Sequence, residues 1–290
     1  MKNIEILKKY LKNSISNMSA YGKHHIYESD FSDIELPMNS GTFEKLNYTK
    51  LIKYYFSLIF QLIIFRKKIL LNDFVKRYKL ICKLQSRLFN QDLIYHSIIL
   101  NLLEKQKILE KGVCVIGDGK ANFVHGILNL EKISKIYSVN LPQSLIQDYI
   151  ILTKFNSIDE DLIKIVDVEE DLYDERCRLF LIPAQNKNFL IGKDINLFVN
   201  TFSFQEMPLK EVHEYINIAK LNRSYLYSLN REQKKMYDGK IISYDEYGLN
   251  NINQNIFKEE AKFVKYRYSI KFPFIHKKKS KVIHSLTKFK

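Results

Sequence analysis

The stretch VCVIGDGKANFVHGILNLEKISKIYSVN, residues Val113–Asn140, decides the fold of this 290-residue chain. Its first four residues are an apolar run that is long enough for a buried strand and too short for a core helix. The turn Gly117–Gly119 follows, and its two glycines are free to take positive φ and to let the backbone approach a ligand closely. A helix is then predicted over 121–130 and a second strand over 136–139. The stretch therefore predicts a βαβ unit.

The glycine turn is a candidate ligand site, because amide N–H groups at a helix N-terminus point outward and can bind a polar group. A dinucleotide fingerprint would have a third glycine at position 122 and an acid about 20 residues beyond the turn, where the ribose is contacted. The chain has Asn122 and Asn140 at those positions, which disfavours NAD. Taken alone, the turn leaves open a tight strand-to-helix connection without a ligand.

Three more apolar runs, at 179–182, 195–199 and 225–229, each read as a strand. Helices are predicted between them, two of which begin at Pro142 and Pro208. This alternation predicts an α/β fold, Rossmann-like, with a mainly parallel sheet and helices on both faces. Ligands of such sheets bind beyond the carboxyl ends of the strands. Those ends are glycine or mostly polar: Gly117–Gly119, Asn140, Ala184-Gln185, Asn200-Thr201 and Asn230-Arg231.

The N-terminal part has a different pattern. Apolar residues recur at helical spacing from about 48 to 107, which predicts a helical cap over 1–108 ahead of a sheet domain over 109–290. The run Tyr54–Phe65 is too short to span a bilayer, so a buried helix is the default and peripheral membrane contact the alternative. His24 and His25 are interpreted as a loop pair rather than metal ligands, and His96 as a core-edge histidine without a role.

The net charge of +14 favours an anionic partner. From Lys271 to the end there are seven lysines and no acid. Nucleic acid, a membrane surface and an acidic glycan all fit this pattern, as does a solvated lysine-rich surface. Three scattered cysteines are typical of reduced core thiols. Residues 1–12 mix charge throughout, so we expect no signal peptide and a cytoplasmic location.

From about residue 108 to the end, the chain resembles the family of sugar O-methyltransferases, which belongs to the class I S-adenosylmethionine-dependent methyltransferases. The resemblance rests on VIGDG-x-ANF, a strand ending in VNL, then PAQ, NTFSFQEMP and LNREQKKMYDG. NTFSFQEM and LNRE followed by DG are its most specific pieces. It implies a class I methyltransferase fold, S-adenosylmethionine as cofactor, no metal, and a sugar or glycan precursor as acceptor.

The resemblance implies that Gly117–Gly119 holds the methionine part of the cofactor, that Asn140 and Leu141 lie at the ribose and adenine, and that Gln185 lies beside the adenine edge. Most class I methyltransferases have an acid where Asn140 stands, and an amide must donate through its nitrogen, which implies weaker or differently shaped binding. Lys120 is a further departure. The residues assigned to the cofactor are Gly117, Asp118, Gly119, Asn122, Asn140, Leu141, Gln185, Asn200 and Thr201.

Methyl transfer to a hydroxyl also requires a group that takes the hydroxyl proton. Glu206 and His213 are the candidates beside the strand end at Thr201, and Glu206 is preferred because His213 lies about two helical turns further away. Gln205, Asn230 and Arg231 are assigned to the acceptor. Phe202 and Phe204 either face the sulfonium or pack in the core.

Several interpretations stay open at this stage. The later aromatics, Tyr244, Tyr247, Phe263, Tyr266 and Tyr268, are read mainly as cover for the sheet and alternatively as a sugar platform. Nucleic acid is not the first choice of acceptor. A nucleic-acid methyltransferase and a non-catalytic scaffold with a decayed cofactor pocket remain the alternative functions.

Overall fold

The structure is a computed structural model that describes residues 5–10, ten positions between 52 and 66, and residues 72–85, 87, 89–154, 158–236, 239–249, 255–268, 275–277 and 280–290. His24 and His25, Lys278 and Lys279 lie outside the described residues.

An eight-stranded sheet organises the described chain, in the order β3-β4-β2-β1-β5-β6-β12-β9. The strands from β1 to β6 that belong to it pair in parallel, whereas β12 is antiparallel to both of its neighbours, β6 and β9. The eight strands are β1 (Lys111–Ile116), β2 (Ile133–Asn140), β3 (Ile163–Ile165), β4 (Leu179–Pro183), β5 (Ile195–Thr201), β6 (Tyr225–Arg231), β9 (Asn255–Glu260) and β12 (Val282–Lys288). Two antiparallel hairpins join β7 (Gln233–Lys235) to β8 (Ile241–Ser243) and β10 (Tyr266–Tyr268) to β11 (Ile275–Lys277).

The sheet is apolar on both faces, and the period of two along a strand divides its side chains between two cores. In β1, Val113 and Val115 belong to one buried cluster, and Cys114 and Ile116 to the other. Helices α1 (Asp73–Leu84), α2 (Gln91–Lys105), α3 (Asn122–Ile127) and α4 (Pro142–Lys154) cover the first face, and α5 (Leu209–Leu221) covers the second.

The side of the sheet on which the helices lie changes between β1 and β5. On the first face, α3 connects β1 to β2, and α4 follows β2. On the second face, α5 connects β5 to β6. Open α/β sheets bind ligands in the crevice at such a switch point, outside the carboxyl ends of the two strands. The crevice here lies beyond Ile116 and Thr201.

Most of the predicted architecture is confirmed, including the mainly parallel α/β sheet with helices on both faces. The helix predicted over 121–130 is shorter, because 119–121 forms a 3-10 turn and α3 begins only at Asn122. In the acidic passage 159–175, Leu172 is buried, and the Asp171 carboxylate accepts the backbone N–H groups of Asp167 and Val168. Intrachain hydrogen bonds thus fold this passage onto the sheet edge.

The segment 52–66 is helical at its described positions, but the prediction that it is simply buried is wrong. Phe65 is buried and Leu58 and Leu62 pack against the first core, whereas Ile59 and Ile63 are exposed. The segment has apolar residues on two sides and only one of them meets the core. Among the described helices, none combines the length and the hydropathy needed to cross a membrane.

The helical N-terminal region shares its core with the sheet. Phe74 and Tyr78 of α1 and Leu93 of α2 lie in the same buried cluster as Val113. The boundary at residue 108 stays a prediction. Cys82, Cys114 and Cys177 are buried and unpaired, and Tyr244, Tyr247 and Phe263 are buried in the cores, in agreement with their predicted role as cover.

Candidate functional site

The turn after β1 requires glycine at only one of its two glycine positions. Gly117 has φ of +69°, and a Cβ there would lie 2.4 Å from Cβ and Oγ of Ser203. Gly119 does not have positive φ, contrary to the prediction; Lys120 and Ala121 take the left-handed conformation instead, with φ of 67° and 50°. A Cβ on Gly119 would meet no atom within 4 Å, so the space beside it is open.

Asp118 holds the turn against α3. Its two carboxylate oxygens accept the backbone N–H groups of Phe123 and Val124, at 2.9 and 2.8 Å. Burial raises the pKa of Asp118 to about 6, while these two N–H groups and the charge of Arg87 act in the opposite direction. The carboxylate therefore serves as an internal cap for α3, in the position where the N–H groups of a helix start need acceptors.

Asn122 is also held by protein groups. Its Oδ1 accepts from Nη1 of Arg87 at 2.8 Å, and its Nδ2 donates to the carbonyl of Gly119 at 3.1 Å. Its backbone carbonyl accepts from the Tyr78 hydroxyl at 2.9 Å. These bonds fix the start of α3 to the helical region before the sheet.

A cavity of about 150 Å³ lies at the switch point between β1 and β5. A cavity of this size holds a benzene-sized group, so it fits one part of a nucleoside-containing cofactor rather than the whole. Its edge at Gly119 is open space that a side chain would fill. The residues that line it are Asp92, Tyr95, His96, Ile99, Gly117, Asp118, Gly119, Asn122, Thr201, Phe202 and Leu229.

Helix α2 supplies one wall of this cavity, which sequence reasoning missed. Asp92, Tyr95, His96 and Ile99 recur at three and four residues and so lie on one face of the helix. The one sign of this wall in the sequence was His96, a histidine in the mostly apolar stretch of α2. That pattern is also typical of a core position. The contact itself depends on how α2 packs across the end of β1.

His96 is more than nine-tenths buried, and within the described part of the chain its Nδ1 has no hydrogen-bond partner. Burial, with a smaller effect of the Arg87 charge, lowers the pKa of His96 to about 4. The imidazole is therefore neutral at neutral pH. A neutral imidazole has one nitrogen lone pair that can accept a proton or a hydrogen bond.

Phe202 and Phe204, predicted together, lie in different places. Phe204 is fully buried in the second core, where its ring packs against Tyr215 and Tyr247. Phe202 lines the cavity and has φ of +65°, which is uncommon for a bulky residue. Backbone conformations of this kind cluster at binding sites, where the surrounding structure holds them. Thr201, directly before it, also lines the cavity.

Asn140 ends β2 beside the glycine turn but does not line the cavity. Its Oδ1 accepts the backbone N–H of Leu141 at 2.9 Å, and its Nδ2 donates to Oδ2 of Asp148 at 3.3 Å. Burial, and then the charge of Asp118, raises the pKa of Asp148 well above its ordinary value. Leu141 and Gln185 are exposed. They lie at the same end of the sheet, because Asn140 of β2 pairs with Pro183 of the parallel strand β4.

The amides predicted at the ends of β5 and β6 face each other inside the protein. Nδ2 of Asn230 donates to Oδ1 of Asn200 at 2.9 Å, and Oδ1 of Asn230 accepts the backbone N–H of Gln205 at 3.2 Å. Nδ2 of Asn200 donates to Ser203 Oγ and to the Ile116 carbonyl. The side chains of Asn200, Gln205 and Asn230 are all buried, and none of them lines the cavity. Their hydrogen bonds fix the loop after β5.

The two predicted proton acceptors also lie outside the cavity. Glu206 is exposed at the end of the 3-10 turn Phe204–Glu206. His213 is exposed on α5, and the carbonyl oxygen of Glu246 accepts a hydrogen bond from its Nε2 at 2.9 Å. Arg231 is exposed, and its backbone N–H donates to Oε1 of Gln205. Among the described residues, no group of three or more His, Cys, Asp or Glu side chains could hold a metal ion.

The described fold is a Rossmann-like α/β fold, with a mainly parallel sheet and the antiparallel β12 between β6 and β9. No protein-family model matches the chain, and no curated protein matches its sequence.

Comparison with solved structures finds matches of low similarity. An S-adenosylmethionine-dependent methyltransferase from Clostridium acetobutylicum is 10% identical, with a TM-score of 0.43 over 67% of this chain and 90% of the other. The methyltransferase domain of bacterial CtHen1 is 10% identical, with a TM-score of 0.42 over 68% and 100%. M. capricolum TrmK, solved with S-adenosylhomocysteine, is 11% identical, with a TM-score of 0.38 over 65% and 67%. A shared fold carries no information on the acceptor.

Proposed function

We propose that this protein is an S-adenosylmethionine-dependent O-methyltransferase that acts on a hydroxyl of a sugar or surface-glycan precursor. The observation that carries the proposal is the cavity at the switch point, between the turn Gly117–Gly119 and the end of β5 at Thr201 and Phe202. The sugar as acceptor rests on the sequence resemblance.

The residues present suit the cofactor. The open space beside Gly119 has room for the amino-acid end, because a Cβ there would meet no protein atom within 4 Å. Asn140, Leu141 and Gln185 lie at the neighbouring strand ends, where the ribose and adenine would be held. When bound, S-adenosylmethionine supplies an electrophilic methyl group on a positively charged sulfur. Phe202 and Tyr95 are aromatic residues of the cavity wall, and an aromatic ring face suits a positive charge.

Within this proposal, His96 is the best-supported acceptor of the hydroxyl proton. It lines the cavity, it is neutral at neutral pH, and its Nδ1 is free of hydrogen bonds within the described structure. The imidazole would take the proton as the hydroxyl oxygen forms its new bond to carbon, and would release it to water afterwards. Glu206 and His213 remain the alternatives, at positions outside the cavity.

A nucleic-acid methyltransferase is the second candidate, because the net charge is +14 and the sequence has the run Lys277-Lys278-Lys279 near the C-terminus. Both candidates use the same cavity and differ in the acceptor. A scaffold without cofactor binding is the third.

Methyl transfer from radiolabelled S-adenosylmethionine tests the proposal, with nucleotide sugars and capsular or lipopolysaccharide sugars as one acceptor pool and total RNA as the other. We expect label in the sugar pool, a loss of at least tenfold in His96→Gln, and full activity in the matched control His276→Gln, a histidine outside the cavity. Label only in RNA would favour the second candidate. A loss in Glu206→Gln with full activity in His96→Gln would transfer the role of proton acceptor to Glu206.

A further inference from the structure

The helical segment 52–66 exposes a row of large apolar side chains. Ile52, Tyr55, Phe56, Ile59 and Ile63 are between 46% and 66% exposed. They occupy positions 52, 55, 56, 59 and 63, so at about 100° per residue they form one stripe along the helix, about 100° wide. We call these five residues the outer stripe. Single exposed apolar residues are ordinary, whereas a contiguous row of five marks an interaction surface.

A second side of the same segment is fixed to the protein. Phe65 is buried, and Leu58 and Leu62 pack against the core that covers the first face of the sheet. These residues are three or four apart, so they form a second stripe, whose centre lies about 100° around the helix from that of the outer stripe. This inner side is occupied by the core, whereas the outer stripe is exposed.

The sequence that contains and flanks the outer stripe has only positive charges. From Lys45 to Asn72 the sequence has six lysines or arginines and no acid. Arg66, which directly follows the inner Phe65, is exposed. An apolar helix face flanked by cations is the pattern of helices that lie in the interface of an anionic bilayer, with the apolar side chains among the acyl chains and the cations at the headgroups.

We propose that the outer stripe docks the protein onto the surface of a membrane that contains anionic lipid. The acid-free flanks disfavour a second copy of the chain as the occupant, because two such faces would bring twelve cations together. They favour a negatively charged surface with an apolar interior. Docking does not depend on the proposed catalytic function, and the helix lies on the bilayer without crossing it.

Flotation of the full-length protein with liposomes tests the proposal. Vesicles of phosphatidylcholine alone are compared with vesicles that contain 30% phosphatidylglycerol, in about 0.1 M and 0.5 M NaCl. The test variant is Ile59→Ser with Ile63→Ser. The matched control is Leu221→Ser with Ile241→Ser, two residues of comparable exposure, 55% and 58%, that lie elsewhere on the surface.

We expect the wild type to float with the anionic vesicles and not with phosphatidylcholine, and its binding to fall at high salt because counterions screen the cations. The Ile59/Ile63 variant should bind at least tenfold more weakly, and the control should bind like the wild type. Circular dichroism spectra confirm that both variants are folded. No flotation of the wild type would overturn the proposal, as would equal binding by the test variant. A wild-type dimer in solution that the test variant abolishes would assign the outer stripe to a second copy instead.

Discussion

Protonation of Asp118 is expected to change the stability of the protein with pH. Burial raises the pKa of this carboxyl from 3.8 to about 6 in the folded protein. The folded state therefore binds the proton more tightly than the unfolded chain, and acid stabilises the fold through this group. The stabilisation is complete below the unfolded pKa near 3.8, and it is lost as the pH rises through about 6.

The size of the effect follows from the shift. Two pKa units correspond to about 3 kcal/mol, of which about half is lost between pH 5 and pH 7.5. His96 and His125 act in the opposite direction, because burial lowers their pKa to about 4 and about 3, and their stabilisation grows as the pH rises through the ordinary histidine range. The wild-type stability alone is thus a sum of opposing contributions, and a variant of Asp118 is needed to separate them.

Urea unfolding of the wild type and Asp118→Asn, followed by far-ultraviolet circular dichroism at pH 5.0 and pH 7.5, gives the required difference. The stability lost by the substitution should be about 1.5 kcal/mol larger at pH 5.0, since only the wild type gains from the proton. The control Asp194→Asn, whose side chain is 80% exposed, should show the same loss at both pH values. A loss in Asp118→Asn that does not change with pH would refute the reasoning.

Three further outcomes follow from the site. Gly117→Ala should lower the free energy of unfolding in urea by roughly 2 to 5 kcal/mol, because Gly117 has positive φ and the added Cβ would clash with Ser203. Gly119→Ala should change it by less than about 1 kcal/mol, since its Cβ meets no atom within 4 Å. Equal effects of the two substitutions would contradict this account of the turn. Asn200→Ala should lower the free energy of unfolding by about 2 kcal/mol or more, since the Asn230 amide and the Phe204 N–H lose their acceptor. A loss below about 0.5 kcal/mol would show that these buried amides do not stabilise the loop after β5. The His96 ring should show no titration above about pH 5.5 by nuclear magnetic resonance, and a midpoint near 6.5 would contradict its burial.

Strands β1, β2, β4, β5 and β6 were predictable because each is a short apolar run closed by glycine, proline or amide residues, whereas β9 and β12 were not predicted. The period of two along β1 and the turn at Gly117 are properties of neighbouring residues, and local chemistry determines both. The prediction of the candidate site failed at Lys120 and Ala121, which take the left-handed conformation that was expected of Gly119. Nothing in their side chains favours it.

The ends of five strands were predicted to form the site together, and only two of them line the cavity. Asn200 and Asn230 are polar at strand ends because the loop after β5 needs buried hydrogen-bond partners, which a sequence pattern does not distinguish from ligand binding. The contribution of α2 was missed for the opposite reason. His96 is separated from Gly117 by twenty residues and meets the same cavity only through tertiary packing.

Calorimetric titration with S-adenosylmethionine and S-adenosylhomocysteine tests the central claim most directly, with NAD as the negative control and Gly119→Val beside the wild type. The added side chain fills the open space in the cavity without meeting a protein atom within 4 Å of its Cβ, so the variant should fold with near wild-type stability. We predict micromolar binding of both sulfur compounds by the wild type, no binding of NAD, and loss of binding in Gly119→Val. A folded wild-type protein that binds neither sulfur compound would contradict the account.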